Sequence, residues 1–299
     1  MMKIIGVDKG SAYTKTSTGF SVKSTVREIG ENDLILNGSM TVELDGKKYV
    51  IGEEGNFATD LAKADHEETK ILTLTAIAKS FEGEFIKTNL VVGLPIGNFS
   101  RQKDKMKKIF EDQIIKMKIR DEKKTIIIEN VAVFPEAAAV FYMQNKPSCL
   151  IIDIGGLSVD NALFEDGSLL KHSTYNMGVM KLNTKIANEL NAEYDLNLNS
   201  WTVEKIINEG LFIYGKQVSI NEERIIEAHV LEIVEKIKLE YDIKAIENIT
   251  LAGGGSFLCT SFFKKHMPQL EVIENSRFAN ADGFAEIGER MFGVENGEN

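Results

Sequence analysis

The sequence predicts an α/β protein of two similar domains that face each other across a cleft. Three observations carry this. An internal echo places IIGVDKGS at residues 4–11 and IIDIGGLS at 151–158, so two distant apolar strands each end in an acid and glycine. Strand-like and helix-like stretches alternate along the chain, the pattern of α/β architecture. The length of 299 residues suffices for one large domain or two ordinary ones.

Composition sets the outer limits. At 43% hydrophobic and 27% charged, the chain reads as soluble and globular. A net charge of −10 argues against a direct, sequence-independent grip on DNA or RNA, though not against a partner that binds DNA. The two cysteines, Cys149 and Cys259, sit beside apolar runs without a CxxC neighbour and read as reduced core residues of a cytosolic protein. No apolar run approaches the ~20 residues of a membrane span, and MMKIIGVDKG turns polar too soon for a signal peptide.

The elements follow in order. KIIGVD at 3–8 is a strand ending in Asp8, followed by Gly10, Ser11 and Lys15, with 14–18 as its returning strand. TVELDGKKYVI at 41–51 alternates around Asp45-Gly46, a two-residue hairpin signal. Residues 67–81 carry Ile71, Leu74, Ile77 and Ala78 at helical spacing, and 85–94 form a strand. Residues 100–117 are expected to be one helix with Met106, Ile109, Phe110 and Ile114 on its apolar stripe; its cluster Arg101, Lys103, Lys105, Lys107 and Lys108 reads first as a solvated face. Strands at 125–128 and 131–134 lead to Pro135, expected to open a helix with Glu136 in its first turn.

In CLIIDIGGLSVDN at 149–161, a buried strand ends in Asp153, suited to holding a hydrated divalent cation. Gly155 and Gly156 allow backbone N–H groups close to an anion, and Leu157, Val159 and Ala162 resume an apolar pattern, so a phosphate-cradling hairpin is expected. A strand at 168–175 follows, then Gly178 before a helix at 179–190, and a helix at 200–210 with Ser200 as candidate N-cap. A long helix spans 221–241, with Ile225, Ile226, Val230, Ile233, Val234 and Ile237 at core spacing. Residues 249–252 form a strand leading to Gly253, Gly254 and Gly255, and a helix starts at Ser256. A last helix covers 282–291, and GVENGEN reads as a frayed tail.

Five stretches stand in order: Asp8, Gly10, Ser11 and Lys15; Val133 to Ala137 with Glu136; Asp153, Gly155, Gly156 and Ser158 with Asp160 after; Leu251 to Gly255; and Ala281-Asp282-Gly283. They resemble the five nucleotide-site motifs of the actin, heat-shock chaperone and sugar kinase superfamily. Within it, LIIDIGGLSVD, VFPEAAAVF and Arg277-Phe278 before Asn280-Ala281-Asp282-Gly283 look most like the ParM-like plasmid-segregation actins. The resemblance implies two ribonuclease H-like (actin-like) domains facing each other across a nucleotide cleft. Domain I would take 1–147 plus 280–299, and domain II 148–279.

It also implies roles. Asp8 and Asp153 would hold Mg²⁺ mostly through water. Lys15 would reach the phosphates of ATP or GTP as a point charge. Ser11 and Ser158 would hydrogen-bond the phosphates, and Glu136 would orient the attacking water. Gly253, Gly254 and Gly255 would pass close to the ribose and α-phosphate. Lys205 and Glu209 would either wall the purine pocket or form a solvated i,i+4 pair; Gly178 would lie near the phosphates. Lys9 and Leu157 depart from the family's loops. The implied function is a cytoplasmic ATPase that assembles head to tail with itself and moves plasmid DNA through a DNA-binding adaptor protein, touching neither nucleic acid nor membrane directly. The alternative is a non-filament ATPase of the same superfamily: a small-molecule kinase, or a chaperone or reactivase-type enzyme.

Overall fold

The structure, a computed structural model, describes residues 3–30, 33–53, 55 and 59–293. Its first sheet has nine strands: β1 (Lys3–Lys9), β2 (Tyr13–Thr16), β3 (Ser21–Lys23), β4 (Val26–Glu28), β5 (Met40–Leu44), β6 (Lys47–Ile51), β7 (Phe85–Leu94), β8 (Ile114–Ile119) and β9 (Glu122–Pro135). Its second sheet has β10 (Cys149–Ile154), β11 (Val159–Glu165), β12 (Ser168–Tyr175), β15 (Ile249–Ala252) and β16 (Leu270–Val272), while β13 (Leu211–Ile213) and β14 (Lys216–Val218) form a separate hairpin. The helices are α1 (Glu67–Ser80), α2 (Phe99–Phe110), α3 (Val179–Tyr194), α4 (Ser200–Glu209), α5 (Glu222–Glu240), α6 (Ser256–His266) and α7 (Ala279–Phe292).

The internal echo is a repeat of topology. Half of the first sheet runs β3-β2-β1-β7-β9, and the second runs β12-β11-β10-β15-β16. In each, an antiparallel pair on one side of the first strand meets two parallel neighbours on the other. Buried strands of this kind read as near-continuous apolar runs, and Leu150, Ile151, Ile152 and Ile154 are all fully buried. The Asp45-Gly46 turn forms as expected, both residues having positive φ (52° and 81°), as a tight hairpin demands.

Several elements differ from expectation. The 100–117 helix stops at Phe110. Asp112 turns left-handed at φ 55°, and Ile115, Met117 and Ile119 are then buried at every second residue, the period of a strand. Ile114, 69% exposed, is on no helical stripe. The basic residues of α2 face solvent, Lys107 pairing with Glu111 at 3.0 Å and Lys105 with Asp65. Residues 122–135 form one strand, and Pro135 closes it instead of opening a helix: it pairs with Leu94, Glu136 donates its N–H to the Leu94 carbonyl, and Ala137 takes φ 61° before a 3-10 turn at Ala138–Met143. The N-cap of α4 is Asn199, whose side chain accepts from the N–H groups of Trp201 and Thr202, not Ser200. Helix α3 runs on to Tyr194, and α7 begins at Ala279, a turn before Asp282. Strands β3, β4, β13, β14 and β16 stand in addition to the strands expected from sequence. Most of the expected frayed tail, 294–299, lies outside the described residues.

Each sheet has its own apolar core, one including Leu72, Leu90 and Phe110, the other Ile186, Ile233 and Phe263. Both cysteines are buried and free. Helix α7 lies against β1 and β7, and Gly6 makes that approach possible: a Cβ there would stand 2.0 Å from the Ala281 carbonyl oxygen. Gly6→Ala must therefore push α7 off the sheet. Overpacking of this type costs about 1–3 kcal/mol, and a thermal melt should show a fall of roughly 2–4 °C per kcal/mol. An unchanged melting temperature would contradict this packing.

Candidate functional site

The two strands of the repeat, β1 and β10, end side by side, and each feeds a tight hairpin. In the first, Gly10 donates its N–H to the Tyr13 carbonyl at 3.1 Å; in the second, Gly155 donates to Ser158 at 2.9 Å. The hairpins touch: a Cβ on Gly156 would lie 2.9 Å from the Ala12 nitrogen. A third segment crosses beside them. Gly253 adopts φ 85°, and a Cβ on it would come within 2.3 Å of Asp153 Oδ1.

These segments enclose a cavity of about 610 Å³. Asp8, Gly10, Ser11 and Lys15 line it from the first hairpin, and Asp153, Gly155, Gly156 and Ser158 from the second. Glu136 enters from the end of β9, and Gly253, Gly254 and Gly255 form a further wall. Three expected residues do not line the cavity. Gly178 lies beneath the second hairpin, without room for a side chain; it donates to the Leu157 carbonyl, and the next two N–H groups of α3 take the carbonyls of Gly155 and Gly156. Lys205 and Glu209 pair with each other at 3.7 Å on the solvent side of α4, their side chains 73% and 63% exposed. The helix instead turns Ser200, Trp201, Glu204, Ile207 and Asn208 to the cavity. Glu204 accepts a hydrogen bond from the Tyr13 hydroxyl at 2.7 Å across the cavity mouth, and the Arg277 guanidinium sits 4.5 Å from the Tyr13 ring centroid.

The deep end is charged and buried. Lys15 Nζ lies 2.7 Å from Asp8 Oδ2 and donates to the Arg277 carbonyl at 3.0 Å. Burial disfavours the Asp8 carboxylate, but Lys15, Lys63 and Lys9 outweigh it and hold the carboxyl below its usual range. Asp153 accepts from Asn280 Nδ2 at 2.7 Å through Oδ2. Its Oδ1 is buried with no hydrogen-bond partner among the described residues. Burial pushes its carboxyl up to about 6 against the Asn280 bond, and the Asp160 and Asp8 carboxylates add to the rise. Asp160 accepts from the Ser158 hydroxyl at 2.6 Å and the Thr174 hydroxyl at 2.5 Å. Glu136 forms a buried ion pair with Lys63. Burial, with Asp8 and Asp160 nearby, pushes the Glu136 carboxyl up, while Lys63 opposes the rise.

Motif reading missed two residues that hold this end together. Asn280 grips Asp153 with its amide nitrogen and accepts the Ala137 N–H at 3.0 Å through its oxygen. Its signal was its place beside Ala281-Asp282-Gly283. Lys63 stands in a short 3-10 turn outside all five motifs, and nothing local marks it. Among the described residues, no group of three or more His, Cys, Asp or Glu is set to hold a metal ion. A cation at Asp8 and Asp153 would thus keep much of its water or share a ligand's oxygens, as Mg²⁺ tolerates. No helix among the described residues is long and apolar enough to cross a membrane.

Two family models match in succession: actin-like proteins N-terminal domain over residues 6–138, and archaeal actin homologue MreB-like, C-terminal, over 151–265. No curated protein matches the chain in sequence. Among solved structures, the archaeal actin homologue Ta0583 superposes with a TM-score of 0.85 at 18% identity, covering 97% of this chain and 100% of its own. Its complex with ADP gives 0.84 at 19%, with the same coverage. A 15-stranded ParM filament from Clostridium botulinum gives 0.78 at 21%, again covering 97% and 100%. At these identities the likeness is one of fold, two ribonuclease H-like halves around a cleft; with the two family models it assigns the chain to the actin-like proteins.

Proposed function

We propose that this chain is an actin-like nucleoside triphosphatase whose monomers bind ATP or GTP with Mg²⁺, assemble head to tail and turn over on hydrolysis. The observation that carries the reading is the convergence of the Asp8 and Asp153 hairpins, Glu136 and Gly253 to Gly255 on one cavity. The ADP complex of Ta0583 and the ParM filament support it by fold. In this reading residues 1–147 with 280–299 form one domain and 148–279 the other. Plasmid DNA segregation through an adaptor protein, in the cytoplasm, follows from the likeness to ParM and suits the net charge of −10.

The chain's own residues fit such a ligand. The unpartnered Asp153 Oδ1 and the side-chain-free passage at Gly253 and Gly156 leave a polar cradle that any Cβ would fill. Bound Mg²⁺ would neutralise phosphate charge. Asp8 and Asp153 would hold its water shell, and Asn280 fixes the Asp153 carboxylate for that task. Lys15, already held between Asp8 and the Arg277 carbonyl, supplies a positive charge that needs little reordering. The two glycine hairpins offer backbone N–H groups to the phosphates. Ser158 gives its hydroxyl proton to Asp160, so it must turn away from Asp160 to donate to a phosphate. Glu136, its carboxyl raised by burial and neighbouring acids, suits a group that orients water and draws on its proton.

Three outcomes are expected. Sedimentation at micromolar protein should show polymer with Mg-ATP or Mg-GTP; none with either would sink the filament reading. Glu136→Ala should keep nucleotide binding while phosphate release slows by about 10²–10⁴-fold, so that filaments persist; equal release rates would refute the role of Glu136. Asp153→Ala should weaken Mg-nucleotide binding, and an unchanged titration would rule that role out.

A further inference from the structure

Lys63 is a buried cation in the cavity wall with no part in the motifs. Its side chain is 3% exposed and its ammonium bonds Glu136 Oε1. Beyond Glu136, the Asp8 and Asp160 carboxylates also favour its charge against the cost of burial. A lysine ammonium carries three donors, and the Glu136 bond uses one of them.

Its backbone is clamped. The Leu61 carbonyl accepts from Asn98 Nδ2 at 3.3 Å and Gln102 Nε2 at 3.0 Å, the Ala64 N–H donates to Gln102 Oε1 at 3.0 Å, and the Lys63 carbonyl accepts from the Thr69 hydroxyl at 2.6 Å. What can move is the flexible four-carbon stem. A buried ion pair is itself a weak source of stability, often matched by an apolar pair of similar volume.

We infer that Lys63 is a phosphate-contacting residue that exchanges Glu136 for the terminal phosphate of a bound nucleoside triphosphate. The inference rests on the nucleotide reading above. Glu136 orients water for attack on the terminal phosphorus, so that phosphate lies within reach of Glu136. Lys63, bonded to Glu136, is therefore one side-chain swing from it. A triphosphate brings negative charge to this end of the cavity and competes for the ammonium; a diphosphate lacks the group that would do so. With the terminal phosphate present, Lys63 leaves the Glu136 carboxylate free to take a water. Without it, Lys63 returns and occupies Glu136. Lys63 thus makes the site tell triphosphate from diphosphate and ties Glu136 to the triphosphate state.

The test is calorimetric titration of ADP and ATPγS with Mg²⁺, or of GDP and GTPγS if the adenine nucleotides do not bind. Lys63→Met should weaken ATPγS binding by about tenfold or more, the range of a hydrogen bond to a charged group, while ADP binding stays within about twofold. Lys63→Arg, which keeps the charge, should recover part of the loss. Because Lys63→Met strands the Glu136 carboxylate and can unfold the chain, E136Q is also compared with K63Q/E136Q. Glu136 is absent from both, and the same loss of preference for ATPγS is expected between them. Equal loss for both nucleotides, or loss for neither, in either comparison overturns the role of Lys63. Wild-type protein that binds no nucleotide overturns the nucleotide reading itself, and with it this inference.

Discussion

Four carboxylates, Asp8, Glu136, Asp153 and Asp160, are buried at the strand ends where the two sheets meet, and the rest of the molecule is arranged around that charge. Leaving one such group unpaired in a dry interior costs several kcal/mol. The chain answers each acid differently: Lys15 for Asp8, Lys63 for Glu136, Asn280 for Asp153, and two hydroxyls for Asp160. Of these four, only Asp153 has a fully buried oxygen without a hydrogen-bond partner among the described residues. That oxygen marks where the protein's own balance stops.

The duplicated topology explains why the acids are there. The central strands β1 and β10 carry their acids to equivalent ends, Asp8 one residue before the end of β1 and Asp153 one before the end of β10. The connections across the cleft are hydrogen bonds rather than apolar packing alone. Thr174 on β12 bonds Asp160 and accepts the Gly97 N–H at 3.0 Å from the segment after β7. Ser158 of the second hairpin bonds the same Asp160. Segments Gly97 to Gln102 also clamp the backbone around Lys63. These hydrogen bonds, joined through the backbone of residues 97–102 and 61–64, link the second hairpin to the segment that carries Lys63.

Much of this was readable from residues because hairpins, glycine passages and strand-end acids are local signals. The Asp8 and Asp153 hairpins, the Asp45-Gly46 turn and the Gly253 crossing each depend on a few adjacent residues. What failed to show depended on distant partners. Pro135 opens no helix because Leu94, far away in sequence, pairs with it. The strand at 114–119 hid in a lysine-rich run whose helical and strand periods overlap over a few residues. Sequence leaves Lys205 and Glu209 open between purine wall and solvated pair, and the solvated pair is what forms, because the inward stripe of α4 is Glu204, Ile207 and Asn208; a shift of one residue on a helix turns a side chain by about 100°. Lys63 has no local signature because its partner, Glu136, lies 73 residues on.

In the proposed reading the two hairpins together grip the phosphates of one nucleotide. The most direct measurement is an experimental structure determined with Mg²⁺ and ADP. The diphosphate is expected between the Asp8–Lys15 and Asp153–Ser158 hairpins, with the base towards Trp201 and Glu204 on α4. A nucleotide bound elsewhere, or a cavity that takes none at saturating concentration, would contradict it.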